Sequence, residues 1–411
     1  MLAAAAVVAL ALLAAYSLAS GRTLVALAVA LLPLAIWEAT RLTVALVLLG
    51  LSLPAFMSIP GEGANIRVAA SDVLLILIIS ALLARMAATR TAAELRALRP
   101  VAFAVGQYGV FLVFLLLVHF GTSEFLQTLQ RIELFLFPLV VGAFAALTGR
   151  HVQVLKAYVL AATALAAVWP IESFGMQKNP VGGMVGSAIL LVVAYPPLRS
   201  FLPSLLVLTP GLLLTASRGA VAATAVGFLV FMIIRGDRGG ILLKRGLPVA
   251  ALAAAAFVLL PEETADRLTT YAPGRQTTGQ YALYIRAQLK RDVYTVIDDH
   301  PWTGVGVGSY EGNVANPAPG SDPHHVVLLQ AAEGGWAFAG SFILLIGGTA
   351  LALYSMRRIE LAPAAAAVFV ATAAHGLVDI YWVRGTPVLG WLLVGMVCGL
   401  RVPPALRAPR P

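Results

Sequence analysis

A chain of 411 residues that is 60% hydrophobic and only 11% charged departs far from a soluble domain, where charged residues make up about 25%. No water-soluble fold of this size hides so much apolar surface, so soluble enzymes and nucleic-acid-binding modules are excluded, no nucleic-acid partner is expected, and an all-α polytopic membrane protein is implied. The net charge of +9 then reads first as topology, because cytoplasmic loops of membrane proteins retain Lys and Arg.

Apolar runs follow one another almost from end to end, at 2–19, 23–38, 42–57, 68–86, 101–120, 131–148, 152–170, 181–198, 200–215, 218–235, 244–260, 337–356, 362–380 and 386–401. A spanning helix takes ~20 residues, so the chain is expected to form roughly 12–14 transmembrane helices. The short neighbours 200–215 and 218–235 are expected to be tilted or partly re-entrant. Met1-Leu2-Ala3 carries no basic residue, so the first run reads as a retained helix rather than a cleaved signal peptide. One long polar interval, 261–323, contains an amphipathic stretch at 281–299 and a Gly/Pro-rich segment from Pro301 to Pro323. The expected organisation is one integrated membrane domain: N-terminal helices over 1–260, a large extracytoplasmic loop with short helices over 261–323, and C-terminal helices over 324–411. The single cysteine, Cys398, excludes an internal disulfide framework.

A cytoplasmic N-terminus puts most basic residues inside, including the cluster Arg85, Arg90, Arg96 and Arg99. The long interval then lies outside. A smaller set stays on the outer side, with Arg131, Lys178 and Arg218 at or near helix ends and Arg286 in the long loop. Taken singly, each can be an ordinary interfacial side chain snorkelling to water. Taken together, they form a candidate anion site.

Three outward helix starts share one design. Asn179-Pro180 follows Lys178, Ser217 precedes Arg218-Gly219, and Asp322-Pro323 precedes His324-His325. Asn, Ser and Asp are favoured N-caps and Pro is favoured at the first helical position. The plain reading is capping. The functional reading is phosphate binding, because helix N-termini present free N–H groups and partial positive charge. His324, placed in the first turn, is disfavoured as imidazolium and suited to act as a general base.

In this region the residues resemble a known family. His324-His325-Val326-Val327-Leu328 with Glu333 and Gly335 is similar to the HN..L....E.G motif of the O-antigen ligase and O-antigen polymerase superfamily. Arg286 lies fifteen residues before Pro301, and His300-Pro301-Trp302-Thr303-Gly304-Val305-Gly306 matches that family's hP..G.G. Ser217-Arg218-Gly219 resembles its SRG helix start, and Asn179-Pro180-Val181-Gly182-Gly183 its NPN..G. Two positions depart from the pattern: His325 stands where Asn is usual, and Lys290 where an aromatic residue is common.

The resemblance implies a glycosyltransferase of the bacterial inner membrane with its site on the outer face. Its donor is a polyprenyl-diphosphate-linked glycan, its acceptor a hydroxyl on a lipid or growing glycan, and its surroundings membrane lipids. It implies neither metal nor cofactor. In that frame His324 takes the acceptor proton and the sugar carbon inverts. Arg218 and Arg286 hold the diphosphate, because guanidinium groups bind phosphate oxygens bidentately. Lys178, Asn179, Arg131, His325 and Ser217 are the further substrate-binding candidates.

Glu333, nine residues after His324, falls on the opposite face of a straight helix and reads as a supporting group. His375 and Asp379, four apart, are either a hydrogen-bonded pair bordering the site or a structural contact. Gly304, Gly306 and Gly308 read as a turn, and Asp298-Asp299 as a helix end rather than a metal pair. The competing reading is a transporter or flippase of an anionic lipid-linked substrate. Transporters keep ionisable groups near the bilayer midplane, whereas the chemistry-bearing residues here gather at one face.

Overall fold

The computed structural model describes residues 42–54, 58–60, 67–89, 92–170, 177–236, 278–314, 322–379, 382 and 385–403. The apolar runs at 2–19, 23–38 and 244–260 lie outside these residues. Each remaining run becomes a helix. Among the described residues seven helices are long and apolar enough to cross a membrane, and four apolar ones are shorter.

In chain order the elements are α1 (Thr43–Ser52), β1 (Ser58–Pro60), β2 (Arg67–Ala69), α2 (Ala70–Thr89), α3 (Ala93–Ala97), α4 (Ala102–Val118), α5 (Thr122–Leu147), α6 (His151–Val168), α7 (Lys178–Ala194), α8 (Leu205–Leu214), α9 (Arg218–Arg235), α10 (Thr278–Asp299), α11 (Val326–Ser355), α12 (Ala362–Gly376) and α13 (Val388–Arg401). The fold is all-α apart from a small antiparallel hairpin in which Ile59 faces Val68, which hydropathy alone did not reveal. The segment expected to be re-entrant enters through a 3-10 helix at Pro196–Ser204, and together with α8 it is long enough to span.

Burial sorts the helices. In α7 every residue from Pro180 to Ala194 is buried, and α12 and α13 are nearly as enclosed. A helix that is apolar all round belongs in the middle of the bundle. The outer helices leave large apolar side chains uncovered, such as Phe103, Val110 and Leu117 on α4 and Ile343, Leu344 and Leu351 on α11. On a soluble protein such a surface would drive aggregation; in a bilayer it is the lipid face.

Apolar burial against neighbours contributes little inside a bilayer, so close backbone approach has to hold the helices together. Gly395 and Gly399 of α13 do this against α5. A Cβ on Gly395 would lie 2.1 Å from the Leu139 carbonyl oxygen, and one on Gly142 of α5 would lie 2.1 Å from that of Leu392.

The helices alternate in direction, and one end of the bundle collects everything of chemical interest. The C-termini of α4, α8 and α12 meet there with the N-termini of α5, α7, α9 and α11. The opposite end carries Arg150, Arg199, Arg235, Arg357, Arg358 and Arg401.

At the first end α11 is broken. Gly335 has φ 75° and ψ 176°, a region open essentially to glycine alone. In a continuous helix the Ala332 and Glu333 carbonyls would accept from the residues four ahead. Here they accept from Val305 N–H at 3.0 Å and Gly306 N–H at 2.9 Å, while Trp336 N–H donates to the Pro301 carbonyl at 2.9 Å. The Gly/Pro-rich segment is thus stitched into the gap of the helix, and its glycines form a turn.

A Cβ on Gly335 would lie 2.3 Å from the Trp302 carbonyl oxygen. Gly335→Ala is therefore expected to cost at least ~1–3 kcal/mol from backbone strain, read as a lower melting temperature in detergent. Gly340→Ala, with nothing near its added Cβ, is the matched control.

Outside the bundle, α10 confirms the amphipathic stretch. Val293, Val296 and Ile297 pack with Tyr310, Val314, Leu328 and Ala331 in a separate small core. This helix seats the inserted segment on the first turns of α11.

Candidate active site

The third helix start differs from the expected one. Asp322 and Pro323 do not open α11; the helix begins at Val326 and His325 is its N-cap. His325 Nδ1 accepts the Leu328 N–H at 3.3 Å. Burial, and then the nearby charge of Lys290, lower its pKa, which suits an acceptor that must stay neutral. The expected substrate-binding role of His325 therefore competes with a capping role visible in the geometry.

His324 precedes the cap, so the argument that placed it in the first turn does not apply. It is held by a turn instead. Its backbone N–H donates to Asp322 Oδ1 at 2.7 Å, and its φ of 54° is left-handed, a conformation in which His, Asn and Asp are enriched among non-glycine residues. Burial pushes the Asp322 carboxyl up, against the opposing effect of the His324 N–H.

This turn directs the ring of His324 at Asp379. Nδ1 lies 3.1 Å from Asp379 Oδ1, with the histidine side chain 20% exposed and the aspartate 3%. A carboxylate accepting Nδ1–H fixes the tautomer and leaves Nε2 with the lone pair. Asp379 itself follows the end of α12 at Gly376, and its N–H donates to the His375 carbonyl at 3.0 Å. The two residues four apart are thus joined through the backbone, and the aspartate's carboxylate serves His324.

The first two helix starts lie alongside. Ser217 caps α9 as expected, accepting the Ala220 N–H at 3.3 Å, and is buried in that task. Arg218 is the first helical residue and is exposed. In α7 the helix begins two residues earlier than expected. Gln177 occupies the N-cap position, Lys178 is the first helical residue and exposed, and Asn179 and Pro180 fall inside the first turn. That turn still tolerates proline because its N–H groups have no intrahelical partner.

Close packing unites these starts. Gly182 faces Thr215 and Ser217, and a Cβ on Gly219 would lie 3.0 Å from the His375 ring and 3.3 Å from Val378. His375 and Val378 belong to the same short segment as Asp379, so two helix N-termini and His324 share one end of the bundle. Arg286 falls within α10; its side chain lies outside the described residues.

Arg131 is not at a helix end. It sits in the third turn of α5 and forms an ion pair with Glu333. Glu333 Oε1 also accepts the Gly308 N–H at 2.9 Å, so one carboxylate joins α5, α11 and the inserted turn. The straight-helix argument that assigned Glu333 a face counted from His324, which lies outside the helix. Beneath this pair a cavity of about 20 Å³, lined by Tyr108, Arg131, Trp382 and Trp391 among others, has room for about one water.

Several supporting contacts had no sequence motif. Tyr108 donates to Gln330 Oε1 at 2.8 Å, Ser309 donates to Glu124 Oε1 at 3.0 Å, and His119 Nε2 lies 3.0 Å from the Thr303 carbonyl. One signal was available for the Arg131–Glu333 pair: an ionisable residue inside an apolar helix implies a partner.

Comparison with known proteins adds one match. Residues 203–343 match the O-antigen ligase family model, a stretch that includes the capped start of α9, all of α10, the inserted turn and the first half of α11. No curated protein matches the chain.

Proposed function

From a chain whose residues 203–343 carry the O-antigen ligase family segment, we propose an inverting glycan transfer from a polyprenyl-diphosphate donor to an acceptor hydroxyl. The observation that carries this reading is the His324–Asp379 pair, a base with its tautomer set, standing beside two helix N-termini that bear Lys178 and Arg218. The family match indicates an O-antigen ligase- or polymerase-type glycosyltransferase; the donor, the residue roles and the orientation are our proposal.

In the reaction His324 Nε2 takes the proton of the acceptor hydroxyl as its oxygen attacks the anomeric carbon. The bond from that carbon to the phosphate oxygen breaks, and the lipid diphosphate leaves as an anion. Asp379 stabilises the imidazolium that forms. Arg218, Lys178 and the N–H groups opening α7 and α9 receive the leaving charge, and Arg286 is assigned to the same task. The outer-face orientation is supported by the arginines at the opposite end, which the positive-inside rule assigns to the cytoplasm. The apolar outer helices suit a donor whose polyprenyl tail stays in lipid.

Arg218→Ala is expected to lower transfer by about 10²–10³-fold, the scale for removing one group that stabilises transition-state charge. The assay is purified protein in nanodiscs with the donor glycolipid and an acceptor lipid fraction. Transfer is expected to persist in chelator, because cationic side chains and helix termini serve the leaving group. Passage of the donor across liposomes with no bond change would instead establish the transporter reading.

A further inference from the structure

We propose that the turn from Pro301 to Val307 rests on the bilayer surface at the end of the bundle that carries His324, with Trp302 and Trp336 lodged among the lipid headgroups. This placement is independent of the transferase reading.

By sequence the turn belongs to the polar interval 261–323, a loop that would stand in water. Its exposed side chain points elsewhere. Trp302 is 78% exposed, while every other residue from Pro301 to Val307 is buried or partly buried. A turn in water gains nothing by displaying an indole. An indole suits an interface, because most of its ring is apolar and its N–H can stay wet.

Two hydrogen bonds place this side chain. Trp336 N–H donates to the Pro301 carbonyl at 2.9 Å, and His119 Nε2 lies 3.0 Å from the Thr303 carbonyl. The turn thus touches α11 just past its break and α4 at its end. Both neighbours add an exposed aromatic ring, Trp336 at 48% and Phe120 at 81%.

The helices set the height of these rings. Trp336 shares one face with Ile343 and Leu344 by the i, i+7, i+8 spacing, and all three are exposed. The same stripe ends at the exposed Tyr354. From Trp336 to Tyr354 a helix rises ~27 Å, against ~30 Å for the hydrocarbon core. Arg357 lies over the Tyr354 ring, 4.6 Å from its centroid, a pairing suited to the opposite headgroup layer. On α4 the exposed stripe of Phe103, Val110 and Leu117 stops just before Phe120. A Cβ on Gly334 would lie 2.4 Å from the Leu115 side chain, so the two stripes end at one level. The aromatic patch continues both lipid faces, and a soluble protein seated on it would meet the bilayer. Its partner is therefore the headgroup layer itself.

The experiment is tryptophan fluorescence of the full chain in nanodiscs. The phosphatidylcholine carries bromine either near the headgroup or near the chain end, and aqueous iodide is the second quencher. Subtracting Trp302→Phe from wild type isolates the Trp302 signal. That signal is expected to lose most of its intensity to bromine near the headgroup, less to bromine near the chain end, and less to iodide than free tryptophan loses. The signal removed by Trp336→Phe is expected to show the same order. Trp302→Phe with Phe120→Trp moves the reporter across the turn and is expected to restore the pattern. The melting temperature of Trp302→Phe in detergent is expected to match wild type, because the ring is exposed.

Strong iodide quenching with none from either brominated lipid places the turn in water and overturns the inference. Stronger quenching by bromine near the chain end places the ring in the hydrocarbon core and overturns it too. A signal reached by neither quencher means that a second copy or a partner protein covers the ring. A fall in the melting temperature of Trp302→Phe assigns the ring to the fold. Either of these results also overturns the inference, and all of them leave the transferase reading standing.

Discussion

His324→Ala is expected to lower glycan transfer by about 10²–10⁴-fold, the range for loss of a positioned general base, while donor binding changes little. The separation follows from where His324 sits. It is outside α11, whose cap is His325, so removing its ring leaves the helix start intact. Its main contact is with Asp379 at 3.1 Å, and the phosphate-binding candidates are on other elements. Rapid-quench transfer and binding of polyprenyl diphosphate, measured on the same preparation, check both halves. Retention of wild-type transfer by His324→Ala would remove it from the mechanism. Loss of donor binding in step with transfer would assign it to the diphosphate instead.

The second large effect is on stability. Arg131→Ala leaves the 3%-exposed carboxylate of Glu333 without its guanidinium. Breaking a buried pair from one side costs ~3–5 kcal/mol, so a clear fall in melting temperature is expected. Replacing both partners tests the cause. Arg131→Met with Glu333→Gln deletes both charges but keeps an oxygen that can accept the Gly308 N–H, now 2.9 Å from Glu333. This double variant is expected to regain most of the lost stability, because buried pairs are often replaceable by uncharged groups of similar size. The same variant tests the substrate role first assigned to Arg131. A stable double variant with a raised donor KM would restore Arg131 to the diphosphate site, and an unchanged donor KM confines it to the fold.

Hydropathy and motif order were legible because both are local. Each run of apolar residues carries its own preference for the bilayer, so the described runs became helices without reference to one another. Ser217 was legible as a cap because N-capping involves residues three apart, and the pair Ser217 and Ala220 obeys it. The amphipathic stretch became α10 for the same reason. The start of α11 was misread because a histidine cap is chemically possible but uncommon, and Asp322-Pro323 offered the stronger local signal. The Asp322 carboxylate did take a nearby N–H, but it belonged to a turn before the helix.

The sequence by itself determined that this is an all-α membrane protein with one long polar interval, and it marked His324, Arg218 and the helix starts as the region of interest. Only the tertiary structure decided that His324 is held by Asp379, that Glu333 answers Arg131, and that α11 breaks at Gly335 to admit the turn from Pro301 to Gly308. The reason is the length of chain between partners. Arg131 and Glu333 are 202 residues apart, and His324 and Asp379 are 55 apart. Such pairings depend on helix direction and packing, which small residues such as Gly395 and Gly142 set by letting backbones meet. No local preference records them, because neither residue of a pair changes what its own helix would do alone.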